Sequence, residues 1–226
     1  MWRCAGWRLP PARRPRYRCL VSAQYPLFAT PATLAEGMAY RPDFLDADEE
    51  RELLRIIETL PLQAARYKTF TAKRRIVSYG AGYDFDRNDL VSAPPLPDFL
   101  LPLRARVAAW AEIPPERFSH ALVTEYQPGT TLGWHRDAPP FGTVAGISLG
   151  TPCRLRFRPY PPKRSPRRSG FDLRLEPRSA YLLRNDARWR WQHSIPPTKG
   201  LRYSITFRTL GGQSPLRASR APAHAR

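Results

Sequence analysis

The hydrophobic positions of the chain change period near residue 118, and that change divides it into two parts. Before it, two segments repeat at helical spacing. Asp46, with Glu49 in capping-box position, opens a helix whose Leu53, Leu54, Ile56, Ile57 and Leu60 share one apolar face and which ends before Pro61. Pro97 to Glu112 predicts a second helix, with Leu100, Leu103, Val107 and Trp110 as core positions. An extended entry segment, Gly37 to Leu45, precedes the first helix. Between the helices, Ala65 to Gly80 reads as two short strands, or a loop and a strand, and Gly80 to Gly82 as a turn.

From Phe118 onward the period is two. Short strands are expected at 121–126, 143–149, 154–158, 171–176, 179–183 and 203–207, separated by glycine and proline turns. Two helices followed by many short strands predict an α+β chain: a β-sandwich or jelly roll with the N-terminal helices packed on one side.

The ends differ from this body. Residues 1–33 carry Arg3, Arg8, Arg13, Arg14, Arg16 and Arg18, several prolines, and no acid before Glu36. No apolar core of a secretory signal is present, so a disordered basic extension is expected there. The folded domain is expected at 34–211, and residues 212–226 as a disordered basic tail. No apolar run approaches the roughly 18 residues of a membrane span. Cys4, Cys19 and Cys153 have no zinc-site spacing, which suits a reduced, cytoplasmic chain, here expected to be a monomer. Cys153 reads as a packing residue.

The net charge of +18 is mostly arginine, as a GC-rich genome would give. It names no partner alone, but it favours a polyanion such as nucleic acid. The stretch Tyr160 to Gly170 is a loop with four basic residues and no acid, able to grip a phosphate backbone if it lies near a site.

Chemistry concentrates around Trp134-His135-Arg136-Asp137. His135 and Asp137 are two apart, so on an extended segment they project from one face. Of the other histidines, His224 lies in the tail and His120 reads as packing or capping, which leaves His193 as a third ligand. Two histidines and a carboxylate suit a non-haem Fe(II) oxygenase, with a zinc hydrolase as the competing assignment. Arg202 and Arg208 argue against zinc. They share a strand face with Ser204 and Thr206, and a dicarboxylate such as 2-oxoglutarate would pair both guanidinium groups.

From about Gly37 to Leu210 the chain resembles the AlkB family of Fe(II)/2-oxoglutarate dioxygenases. His135, Asp137 and His193 match its iron-ligand pattern, and Arg202-x-Ser204-x-Thr206-x-Arg208 is similar to its R-x-N-x-T-x-R signature, with Ser204 in place of Asn. The resemblance implies a double-stranded β-helix (jelly roll) core, and Fe(II), 2-oxoglutarate and O2 as cofactors. By it, Arg202 would hold the distal carboxylate of 2-oxoglutarate and Arg208 would lie near the metal-chelating end. Tyr126 matches a tyrosine that helps hold the co-substrate, and Thr124 stands where the family often has Asn. Arg74 to Gly80 and Tyr83 to Phe85 resemble the lid over a flipped nucleotide, making Arg74, Tyr79, Tyr83 and Phe85 the substrate-side candidates. Ala138-Pro139-Pro140 follows Asp137 where base-repairing members commonly carry an acid.

The function implied is oxidative demethylation of N-alkylated bases in DNA or RNA, with release of formaldehyde. A second reading keeps the chemistry and takes a protein or small molecule. A third, of another class, is a nucleic-acid-binding module with a vestigial iron site.

Overall fold

A computed structural model describes residues 34–211, apart from 68–69, 85–86, 88 and 163–169. The expectations for residues 1–33 and 212–226, for the interior of the basic loop and for Phe85 lie outside the described residues.

The first helix forms where its cap is written. In α1 (Ala47–Glu58) the Asp46 carboxylate accepts from the Glu49 backbone N–H at 2.8 Å, and the Glu49 side chain accepts from the Asp46 N–H at 2.9 Å. The second, α2 (Leu101–Ala111), follows a single 3-10 turn at Asp98–Leu100 and ends where Glu112 takes a left-handed backbone, φ 56°. Arg106 of α2 donates to Glu49 at 2.9 Å and ties the two helices together.

Three sheets follow, all antiparallel. The large one has the order β1 (Met38–Arg41), β11 (Ala180–Leu183), β8 (Phe141–Gly150), β13 (Arg202–Leu210), β6 (His120–Tyr126), β3 (Phe70–Tyr79), β2 (Gln63–Tyr67). The small one has the order β10 (Phe171–Leu175), β9 (Cys153–Pro159), β12 (Trp191–Ile195), β7 (Leu132–His135). A hairpin of β4 (Ala81–Asp84) and β5 (Asp89–Ser92) stands beside them, and a short helix α3 (Asn185–Trp189) precedes β12.

Two cores hold this together. Leu53, Ile57, Leu103 and Val107 of the helices pack on Val123, Ile147, Ile205 and Phe207 of the large sheet. Leu155, Phe157, Leu173, Leu175 and Ile195 of the small sheet form a second core with Tyr126, Val144 and Leu183. The result is a double-stranded β-helix with both helices on one outer face. No described helix is long and apolar enough to cross a membrane.

Every strand expected after residue 118 is present, within a few residues at its ends. Two local expectations need correction. The turn at Gly80–Gly82 is made by Gly80 alone, at φ +78°, where a Cβ would stand 1.9 Å from the Ser119 carbonyl oxygen. Ala81 and Gly82 already belong to β4. Tyr79, expected on the substrate side, packs into the helix–sheet core at 8% exposure. Its strand alternates: Arg74, Ile76 and Ser78 face the opposite side, where they line a chamber.

Candidate metal and co-substrate site

Alternation on β13 builds the site floor. Tyr203, Ile205 and Phe207 enter the helix-side core, while Arg202, Ser204, Thr206 and Arg208 point between the sheets. Register then sets their neighbours. Arg202 lies opposite Tyr126, Ser204 opposite Thr124, and Arg208 opposite His120 on β6.

The small sheet supplies the other wall. His193 of β12 pairs with His135 of β7, and their ring centroids are 4.2 Å apart. Asp137 follows two residues after His135, its side chain 5% exposed, with Oδ2 3.7 Å from His193 Nε2. Its Oδ1 accepts from Arg208 Nε at 2.7 Å. The three expected ligands are therefore gathered at one place. Among the described residues, no group of three His, Cys, Asp or Glu side chains is closed tightly enough to be read as an ion cage as it stands. The turn of Asp137 toward Arg208 is the reason we see.

Protonation states nonetheless suit a cation. Burial pushes His193 down to about 3, with His135 adding to the effect, and burial likewise lowers His135. Both rings are neutral at pH 7, so the His193–Asp137 approach is not an ion pair. His135 Nδ1 lies 2.8 Å from the Gly133 carbonyl oxygen, so as donor it keeps its proton on that side and leaves Nε2 bare. Burial would raise the Asp137 carboxyl, but Arg208, then His193 and Arg188, outweigh it and hold it well below the carboxylate range. Two bare imidazoles and one ionised carboxylate are the donor set of a facial Fe(II) triad.

Beside them lies an inner cavity of about 60 Å³, lined among others by Arg202, Ser204, Tyr126, Thr124 and Tyr181. Arg202 is 1% exposed. Its guanidinium lies 4.8 Å from the Tyr126 ring centroid, and its Nε donates to Ser148 Oγ at 3.3 Å. Nη1 is buried with no partner among the described residues. A buried guanidinium with an unmet donor is costly, and a carboxylate in the cavity satisfies it. All five residues expected to hold 2-oxoglutarate are here.

An outer chamber of about 410 Å³ opens on the far side of His135 and Asp137. Arg74 and Tyr83 line it, as expected of substrate-side residues, and Arg74 also borders the inner cavity.

Several residues at the site were not expected there. His120 does pack, with its ring 4.6 Å from Phe141, but it also lies 3.4 Å from Arg208 Nη1 in the chamber wall. Tyr181 lies across Gly146, where a Cβ would meet its hydroxyl oxygen at 2.5 Å. Burial, with the Asp137 charge behind it, keeps that hydroxyl protonated. Arg188 is 2% exposed and donates to the carbonyls of Asp137 (3.0 Å), Ala138 (2.9 Å), Phe141 (2.8 Å) and Gly142 (3.0 Å). Burial lowers it to about 10, which leaves it charged at pH 7. Nothing local in the sequence marks it among 37 basic residues.

A fold of this kind, with a two-histidine, one-carboxylate cluster and a buried arginine cavity, defines a metal-dependent oxygenase scaffold. The model of the 2OG-Fe(II) oxygenase superfamily matches residues 37–208. The chain belongs to that superfamily and is an AlkB-like oxygenase, an enzyme using Fe(II), 2-oxoglutarate and O2. It is 28% identical over 192 residues to the uncharacterized protein L905 of Acanthamoeba polyphaga mimivirus, covering 77% of this chain and 85% of that protein. It is 29% identical over 184 residues to the alkylated DNA repair protein ALKBH8 homolog of Arabidopsis thaliana, covering 72% of this chain and 51% of that protein. The probable RNA/DNA demethylase ALKBH6 of Danio rerio is 29% identical over 164 residues, covering 69% of this chain and 68% of that protein. The structure of OsALKBH1 superposes with a TM-score of 0.60 at 16% identity, covering 78% of this chain and all of that one, and supports the fold.

Proposed function

We propose that this enzyme removes N-linked methyl groups from bases of DNA or RNA, releasing formaldehyde. His135, Asp137 and His193 would hold the iron, and Arg202, Arg208, Ser204, Tyr126 and Thr124 the 2-oxoglutarate. The bound iron and co-substrate supply oxidation of a C–H bond; the protein's task is to hold and orient both partners. Arg202 meets the distal carboxylate at the closed end of the inner cavity. Arg208 fixes Asp137, and the buried walls keep water from the reacting centre. Arg74 and Tyr83 line the space left for a base.

One observation carries the nucleic-acid reading. Trp134, next to His135, lies under two guanidinium groups, those of Arg156 at 5.2 Å and Arg158 at 4.4 Å from its ring. Arg136, which lines the chamber, lies 3.7 Å from the Tyr160 ring. Among the described residues none of these three arginines pairs with an acid. Arginines interleaved with aromatic rings at the chamber rim suit a phosphate backbone with bases to stack. The names of the Arabidopsis and Danio relatives point the same way.

The test is iron-loaded protein with 2-oxoglutarate and methylated DNA and RNA oligonucleotides, read by mass spectrometry, with His135→Ala as control. Methyl loss from one polymer, absent in the control, is the expected result. Succinate formed while every strand stays methylated would defeat the reading and direct the search to a protein or small molecule.

A further inference from the structure

The charge of the outer chamber selects among alkylated bases. Three cationic side chains line it: Arg74 from β3, Arg136 between the two β7-side ligands, and Arg208 from β13. Among the described residues that line it, Asp137 is the one carboxylate. That carboxylate is already engaged, by Arg208 Nε at 2.7 Å and beside His193. Beyond Asp137 the chain turns through Ala138-Pro139-Pro140, and no acid occurs before Asp172. Asp172 pairs with Arg154 at 3.3 Å on the small sheet.

Alkylated bases fall into two electrostatic classes. Methylation at N1 of adenine or N3 of cytosine fills a ring lone pair and leaves the base cationic at neutral pH. N6-methyladenine, 1-methylguanine and 3-methyluracil are uncharged and present carbonyl or ring-nitrogen acceptors. A cationic base in this chamber would meet guanidinium groups and no free carboxylate. An uncharged base gives Arg74 and Arg136 acceptors to bond. Two like charges about 6 Å apart at an effective dielectric of about 20 correspond to more than tenfold in an equilibrium constant.

Resting on the nucleic-acid reading above, we propose that this enzyme acts on uncharged N-methylated bases in preference to cationic ones, and that Arg74 is a specificity-determining residue for that choice. Arg74 borders both the chamber and the inner cavity, so its charge reaches a base at the point of reaction.

Matched oligonucleotides carrying one methylated base of either class test this. Two readouts are taken: affinity for the metal-free protein by competition anisotropy, and kcat/KM for methyl loss with the iron-loaded enzyme. The uncharged set should be favoured about tenfold or more in kcat/KM and should bind more tightly to the metal-free protein. Arg74→Gln should move the ratio toward one, chiefly by gains on the cationic set, while Arg74→Lys should keep it. Cationic bases turned over as fast as uncharged ones by the unaltered enzyme would overturn the proposal and leave the nucleic-acid reading standing. A ratio unmoved in Arg74→Gln would overturn the assignment to Arg74. Methyl loss from neither set, with succinate still formed, would defeat the nucleic-acid reading and this proposal with it.

Discussion

Replacing Arg188 by Met should loosen the segment that carries Asp137 before it disturbs anything else. The buried guanidinium satisfies four carbonyls between Asp137 and Gly142, three of them through Nη2, and lies 4.1 Å from the Trp189 ring. Each charged hydrogen bond contributes about 1 kcal/mol net, and each carbonyl left without a donor costs more. The stacking on Trp189 adds about 1 kcal/mol. Methionine recovers part of the packing but none of the donors, so the loss should be about 4 kcal/mol. With a urea m-value of about 2.5 kcal/mol per M, the unfolding midpoint should fall by about 1.5 M. Arg188→Lys keeps the charge but reaches fewer carbonyls, and should lie between. In the folded variant, affinity for Mn(II) as a stand-in for Fe(II) should drop about 10–100-fold, because Asp137 is no longer held from behind. Calorimetric titration reads this directly. A midpoint shift below about 0.5 M would mean that water or another group supports these carbonyls. A large shift with unchanged metal affinity would leave Arg188 a prop of the fold with no part in aiming Asp137.

Arg202→Met should separate co-substrate binding from stability. The guanidinium is buried with one unmet donor, so its removal should change the unfolding free energy of the unliganded protein by less than about 1 kcal/mol. Affinity for 2-oxoglutarate should fall at least about 100-fold, as expected when a buried charged pair loses one partner; unchanged affinity by calorimetry would take Arg202 out of the site. His120 makes the second case, in pH. Burial and the Arg208 charge hold it down to about 2. An unfolded histidine accepts a proton near pH 6.5, so as pH falls below that value the unfolded chain gains a proton the folded one refuses. Stability is therefore full above about pH 6.5 and is lost on acidification, by up to about 1.4 kcal/mol per pH unit for this one group. His120→Phe should make the pH slope of the urea midpoint shallower by about one proton between about pH 6 and 4. A slope unchanged in the metal-free protein would mean that folded His120 takes up its proton normally.

What could be read from the sequence was whatever repeats locally. The Asp46 and Glu49 cap, the apolar faces of α1 and α2, and the alternation Arg202-Ser204-Thr206-Arg208 each sit within one element, and the fold places them as their spacing demands. The His135, Asp137 and His193 cluster was legible through its chemistry instead, since β7 and β12 show no alternation of their own: Leu-Gly-Trp-His and Trp-Gln-His-Ser-Ile put polar groups where a strand pattern needs apolar ones. Arg74 and Tyr79 mark the boundary. They have opposite parity on β3, so one continuous strand cannot turn both to the substrate, and a reading that leaves strand or loop open cannot use that constraint. Arg188 lies past the boundary. Its partners are 46 to 51 residues away, and burial of one arginine among many depends on where a distant turn leaves its carbonyls. The same holds for His120, whose neighbour Arg208 is 88 residues on. Ligands of the metal thus announce themselves by type, whereas the groups that aim them are visible only once the sheets have closed, and it is in those groups that a chain with a complete ligand set can still fail to bind iron.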